Sequence, residues 1–573
     1  MVHKFNVLAL LFMKKSTFIN AFILSALFLF LTVIANAQDK LLGILDEEIQ
    51  REMKWLKTQE TPAYYLAYRV DEISGISIST SFGSLVDTST STLRVLTISI
   101  RVGNPQLDNY HFNYPQFSTV ELPSIEEPMA VKQTLWNATK NFYQQAINNL
   151  SNIKTNLSVH AEEEDRSPDF SEEQPNVYTE PPIKPSDIKF NREEWIDRLK
   201  VYSKIFLKDS DIFNGSSHIS YQLTRKYFVS SSGDKIVQNN TSANLRFNGT
   251  IKAKDGMVMP LIKTYFAFKP EGLPSNEHIL KDVDELVNDL IALKKAPVAE
   301  PYTGPALLSG RAAGVFFHEI FGHRVEGQRM KNESDAQTFK KKIKEQVLLP
   351  SLNVYSDPQL KSYASQDLTG YYLYDDQGEK GQKVSIVENG ILKNFLMSRT
   401  PINGFPNSNG HGRSMYGMQP ASRQSNLIAE TIQPQTKEEM RKELIKLAKE
   451  QNKPYGYLFD EVIGGFTTTG RYSPNAFNVT PTIVYRVYTD GQPDELVRGV
   501  NLIGTPLSMF SQIVQAGDKS EIFNGICGAE SGSVPVSATS PMLLVKQIET
   551  QKKAKSMERS IILPRPDGLN NSK

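Results

Sequence analysis

His318, Glu319 and His323 stand in the stretch FHEIFGHRVEG, residues 317–327. It is one residue longer than the zinc-peptidase helix motif H-E-x-x-H, in which two histidines four apart share a face and the glutamate beside the first is the general base. Each residue of a regular helix advances by about 100°, so histidines five apart point roughly 140° away from each other. An undistorted helix therefore cannot bring both to one ion. Gly322 stands where the second histidine of the shorter motif would be. Glycine weakens a helix interior and permits unwound or left-handed backbone, and a local unwinding or π-type turn there returns His323 to the side of His318. The spacing by itself leaves two readings open: a distorted metal site, or two helix histidines in packing or surface roles.

The segment that must carry these side chains opens with TGPALLSGRAAG, whose small residues from Ser309 to Gly314 allow a helix to pack closely. Downstream, Asn389-Gly390 between two apolar runs is a type I′ hairpin signal, and Thr436 with Glu439 forms a capping box opening a helix to about Gln451. Strands are expected near 457–468, 482–489 and 495–503. Upstream, Leu42, Leu45, Ile49 and Leu56 mark one face of an amphipathic helix. Short β-branched runs at 64–70, 75–80 and 93–102 predict strands. Helices are expected at 129–150, 195–208 and 276–295, and a hairpin at 218–230 and 235–250 turning at Ser232-Gly233-Asp234. The acidic, proline-rich stretch 160–187 reads as a solvated loop or linker. The pattern predicts an α+β chain of two domains, 38–300 and 301–573, the second rich in antiparallel strands and carrying the helix of the histidines.

The composition sets limits on function. Of 573 residues, 39% are hydrophobic and 22% charged, as in globular proteins. Lys+Arg 64 against Asp+Glu 63 leaves a net charge of +1, so no global field recruits nucleic acid, and none is expected as a partner. Lys14 and Lys15, the apolar run FINAFILSALFLFLTVI and Ala35-Asn36-Ala37 have the three regions of a secretory signal. The expectation is cleavage after Ala37 and a periplasmic or secreted product without a stable membrane anchor, the rival reading being an uncleaved anchor, and the start lying at Met1 or Met13. Cys527 is the only cysteine. In an exported protein an odd cysteine is an accident, an intermolecular bridge or a thiol held for chemistry, and the plain alternative is a small buried apolar residue.

GVFFHEIFGHRVEG resembles the G-x-x-x-H-E-x-x-G-H-x-x-E-G core of the TldD/PmbA family, once called modulators of DNA gyrase and regarded as metallopeptidases. YDDQGEKGQKVSIVENGILKNFLMSR is similar to that family's D-D-x-G-x-x-G-Q segment and its E-N-G-I-L hairpin. The similarity continues in family order through PASRQSN (420–426), VRGVNLIGTP (497–506) and CGAESGSVPVSATSP (527–541), on the TldD side of the family. The resemblance implies Zn2+ held by His318, His323 and a late Cys-Gly, here Cys527-Gly528. It implies hydrolysis of unfolded or extended peptides, and a homodimer or a heterodimer with a related PmbA/TldE-like subunit. Two imidazoles and one thiolate leave a fourth position for water. Zinc lowers the pKa of that water, and Glu319, adjacent to a ligand, is placed to accept its proton. Glu326 is a candidate acceptor orienting a ligand histidine. Arg413, Arg423 and His411 are candidate oxyanion donors, although His411 departs from the family's Asn-Gly-Arg wording. Asp375 and Asp376, beside Gly378 and Gly381, read as turn formers. An alternative reading is a non-catalytic zinc-containing assembly subunit.

Overall fold

Leu42, Leu45, Ile49 and Leu56 are buried along the helix Lys40–Leu56, whose first turn Asp39 caps by accepting from the Leu42 amide. The structure, a computed structural model, describes residues 39–553 apart from 112–117, 126, 159–163, 185–188, 473–476 and 505–508. The expected signal segment lies outside the described residues. No helix among them is long and apolar enough to cross a membrane.

An eight-stranded sheet occupies the first half. Ala63–Ser81 pairs antiparallel with Ser84–Asn104 on one side and Ile212–Ser230 on the other, and Lys235–Lys252 and Val258–Ala267 follow. The period of two puts Leu66, Tyr68, Val70 and Ile78 on one face. There they pack into the cores built with the helices Lys40–Leu56, Pro128–Leu157, Arg192–Lys204 and Asn276–Lys295. The opposite face carries Ser220, Gln222, Thr224, Ser242 and Asn244, which line a cavity. The runs expected at 64–70 and 75–80 are one strand, and 93–102 is the second part of a 21-residue strand. Residues 84–92 are mostly Ser and Thr and largely exposed. They pair through backbone, so they carry no apolar alternation to read.

The second sheet has eleven strands. Tyr302–Leu308 pairs with both Tyr455–Thr467 and Gly532–Lys552. Tyr455–Thr467 pairs with Phe477–Tyr488, then comes Val500–Gly504, which returns to Gly532–Lys552. The five strands thus close a ring. The chain is α+β, as expected. Asn389 and Gly390 adopt φ of 51° and 78°, as a type I′ turn requires, and the capping box at Thr436 and Glu439 is present.

Within the stretch 160–187, residues 164–184 differ from the expectation of a solvated linker. Asp165, Asp169, Phe170 and Ser171 are buried, and Val177–Thr179 adds to the first sheet beside Lys235–Lys252. Lys331 Nζ donates to Ser167 O (2.8 Å), Pro168 O (3.0 Å) and Asp169 Oδ1 (2.9 Å). The Phe170 ring lies between the guanidinium groups of Arg101 and Arg399, 3.9 and 4.0 Å from its centroid. Its few apolar residues are used at single contacts, so this segment straps the two halves together without a period that a sequence could display.

Candidate metal centre

Ser309 opens the helix Gly310–Ile320 by accepting from the Ala312 amide. A Cβ at Gly310 would lie 2.6 Å from Ser540 O, and one at Gly314 2.8 Å from Ala538 O. The small residues therefore let the helix lie directly on the strand Gly532–Lys552. The α-helix stops at Ile320 and Gly322–Arg324 form a 3-10 turn. The helix unwinds, without a π turn, and His323 swings to the side of His318, with ring centroids 4.9 Å apart. Gly322 is needed for space: a Cβ there would be 1.9 Å from Gln424 Oε1. Gln424 in turn donates to His318 O at 3.3 Å. It lies in the phrase PASRQSN, whose wording gave it no role.

Cys527 comes from the hairpin of Ile513–Ala529 and Gly532–Lys552, where it faces Val534. Its Sγ is 3.3 Å from His323 Nε2, and the candidate ligand atoms of His318, His323 and Cys527 all lie within 4.8 Å of one another. The hairpin tip is fixed from below. Arg423 donates to Ser531 Oγ (2.9 Å), Gly532 O (2.9 Å) and Cys527 O (2.7 Å), while Arg329 meets Glu530 at 2.7 Å. Glu326 is fully buried; its Oε2 accepts from His323 Nδ1 at 3.1 Å and from Arg329 Nε at 2.9 Å.

The electrostatics follow from this packing. Burial opposes ionisation of the Cys527 thiol, but His318 and His323 beside it bring it down to about 4. Burial also opposes protonation of His323, yet Glu326 and the Cys527 thiolate raise it to about 10. Burial works against the Glu326 carboxylate, and His323 and Arg329 outweigh it, to about 2. A buried thiolate and carboxylate thus demand positive charge between them. The centre also leaves His318 Nδ1 buried without a hydrogen-bond partner. Two neutralisable imidazoles and a thiolate within one ion's reach suit zinc, so the residues fit the group.

Glu319 is buried beside this cluster, and burial raises its pKa. A Cβ at Gly465 would lie 2.8 Å from Glu319 Cγ, so that glycine makes room for the carboxylate arm. All four side chains line one cavity of about 1810 Å3 between the two sheets. Arg413 lines it too. Arg423 is fully buried and engaged at the hairpin tip. His411 is fully buried as well, with Nε2 against Ser356 Oγ and Nδ1 against Asn409, and burial lowers its pKa to about 3. It is a neutral packing residue away from the cavity wall. Asp375 accepts from the amides of Gln377, Glu379 and Gly412, as a turn former does, and Asp376 pairs with Arg69 and Lys226. Gly378 and Gly381 are covered, by Phe228 and Pro358, whereas Gly464 is open.

Residues 301–552 match the PmbA/TldA metallopeptidase C-terminal domain. The second half of the chain thus carries the C-terminal domain of the TldD/PmbA family. A metalloprotease of Archaeoglobus fulgidus is 29% identical over 287 residues, which span 47% of this chain and 59% of that protein. A zinc metalloprotease TldD homolog of Saccharolobus solfataricus is 25% identical over 63% of this chain and 77% of its own length. The fold of this chain is shared by a modulator of a DNA gyrase from Thermotoga maritima, with a TM-score of 0.60 at 17% identity over 88% of this chain and 99% of that one. TldE from Thermococcus kodakarensis shares it with a TM-score of 0.59 at 14% identity over 88% of this chain and 100% of that one.

Proposed function

We propose that this chain is an exported, zinc-dependent peptidase of unfolded or extended peptides. The observation that carries the reading is the convergence of His318, His323 and Cys527 with a buried carboxylate, Glu319, that is not one of the clustered ligands. His318, His323 and Cys527 would hold the ion. When bound, zinc acts as a Lewis acid and lowers the pKa of a bound water to about 7. Glu319 takes a proton at its carboxylate and returns it to the leaving amine, a role that its raised affinity for protons favours. Glu326 and Arg329 hold the His323 ring, and Arg423 holds the Cys527 backbone. The names of the relatives support the metalloprotease reading, and the apolar run before Ala37 supports export.

The substrate enters as an extended strand. Ile513–Ala529 pairs with Gly532–Lys552 alone among the described strands, and Ser520–Ala529 together with Gly464 borders the cavity. Apart from Ile522 O and Cys527 O, which Arg311 and Arg423 already hold, backbone along this strand accepts a peptide main chain with little regard for sequence. Folded domains cannot present such a strand. A reduced, unfolded protein should be digested by the zinc-loaded enzyme while its native form survives, and strand-breaking proline near the scissile bond should protect a peptide. Equal cleavage of native and unfolded forms would sink the strand-addition reading. The family resemblance of the sequence motifs carries the expectation of a dimer, with itself or with a related PmbA/TldE-like subunit. The second reading is an assembly subunit whose zinc is structural, in which Glu319 would have no task.

A further inference from the structure

Of the arginines near the centre, several are spent on the protein. Arg329 serves Glu326 and Glu530, Arg423 serves the hairpin tip, and Arg324 donates to Glu319 O and to Thr467 Oγ1. Arg413 is different. It is 6% exposed, and its Nη1 donates to Gln424 O at 2.5 Å. Its guanidinium stands 4.9 Å from the centroid of the Tyr372 ring. No carboxylate of the described residues is within ion-pair distance of it. Asp376, itself paired with Arg69 and Lys226, and the Cys527 thiolate act on it only from longer range. A buried charge with no counter-charge in contact is costly, so a fold that keeps one next to the cavity keeps it for a partner that comes and goes.

We propose that Arg413 is the binding residue for a carboxylate of the peptide substrate, in the same cavity as the metal centre. The inference rests on the peptidase reading. With Nη1 fixed to backbone and the ring plane held by Tyr372, the guanidinium is oriented before the ligand arrives, and its remaining N–H groups match the forked geometry of a carboxylate. The carboxylate has two sources, the free C-terminus of the peptide or an Asp or Glu side chain, and both present the same chemistry.

The test measures anisotropy of a fluorescent, unfolded peptide bound to full-length zinc-loaded Glu319→Ala protein, which holds the peptide without cutting it. Three peptides are compared: one with a free C-terminus, its C-terminal amide, and the amide with one Gln replaced by Glu. Hydrogen bonds to a charged group contribute about 1.5–3 kcal/mol, so removing the relevant carboxylate should weaken binding roughly ten- to a hundredfold. Arg413→Met should erase that preference while leaving zinc content and the binding of the carboxylate-free amide intact. Arg413→Lys, which keeps the charge and loses the fork, should restore only part of it and guards against a folding defect in the Met variant. Dependence on the free C-terminus assigns the α-carboxylate, and dependence on Glu assigns the side chain. Equal binding of all three peptides overturns the proposal alone. Loss of zinc from Arg413→Met overturns it too, since the charge would then serve the Cys527 thiolate. Absence of any peptide binding overturns the peptidase reading along with it.

Discussion

Both sheets bury ion pairs, Arg69–Asp71 among them in the first, but they differ in what they present around the cavity. In the first, one face packs on four helices and the other presents neutral polar side chains such as Ser220, Thr224 and Asn244 to the cavity. In the second, the closed ring and its hairpin bury charged groups outright: Glu326 and Arg423 are fully buried and Glu319 nearly so. The first lines the cavity, and the second is a frame in which buried charges other than Arg413 have assigned neighbours. Buried charges are costly unless paired, so the chemistry concentrates where the fold supplies partners. The strap around Asp169 joins the two, through a residue that follows the metal centre closely in sequence.

The largest effect should come from the frame. Glu319→Ala should fold and keep its zinc, yet lose peptide hydrolysis by several orders of magnitude, because it removes a proton acceptor and no ligand. Turnover like that of the wild type would turn the comparison around and favour the assembly-subunit reading. Next is the strap. Asp169→Ala leaves the buried Lys331 ammonium and His111 without their carboxylate, so stability should fall by about 3 kcal/mol in urea unfolding. A change below about 0.5 kcal/mol, the size of a surface substitution, would show that the halves do not depend on that contact. The smallest effect is expected at Thr436, whose capping box is exposed and outside the cavity lining. Thr436→Ala should cost about 1 kcal/mol with zinc content and hydrolysis unchanged. A loss of metal there would contradict the local character of the frame.

The same contrast explains how much could be read in advance. The frame was legible because its turns and glycines are dictated by local chemistry: Asn389-Gly390 and Thr436 with Glu439 form the turn and the cap that their residue types require. His318, Glu319 and His323 converge in space, although the reason for Gly322 was only half visible. Unwinding was foreseeable from glycine, whereas the demand for space comes from Gln424, about a hundred residues away in sequence. His411 could not be told from a donor facing the cavity, since burial decides its role. In the first half, residues 84–92 pair through backbone with no apolar pattern, and Phe170 is held by two arginines from distant segments. Contacts of that kind leave no period in the sequence.

The central claim is that His318, His323 and Cys527 hold one metal ion. It is tested most directly by metal analysis of the purified mature protein and of Cys527→Ala, His318→Ala and His323→Ala. The account predicts about one zinc per chain in the parent protein and loss of most of it in each variant, because metal affinity of such a site depends on every ligand. Full retention of zinc by Cys527→Ala would contradict it.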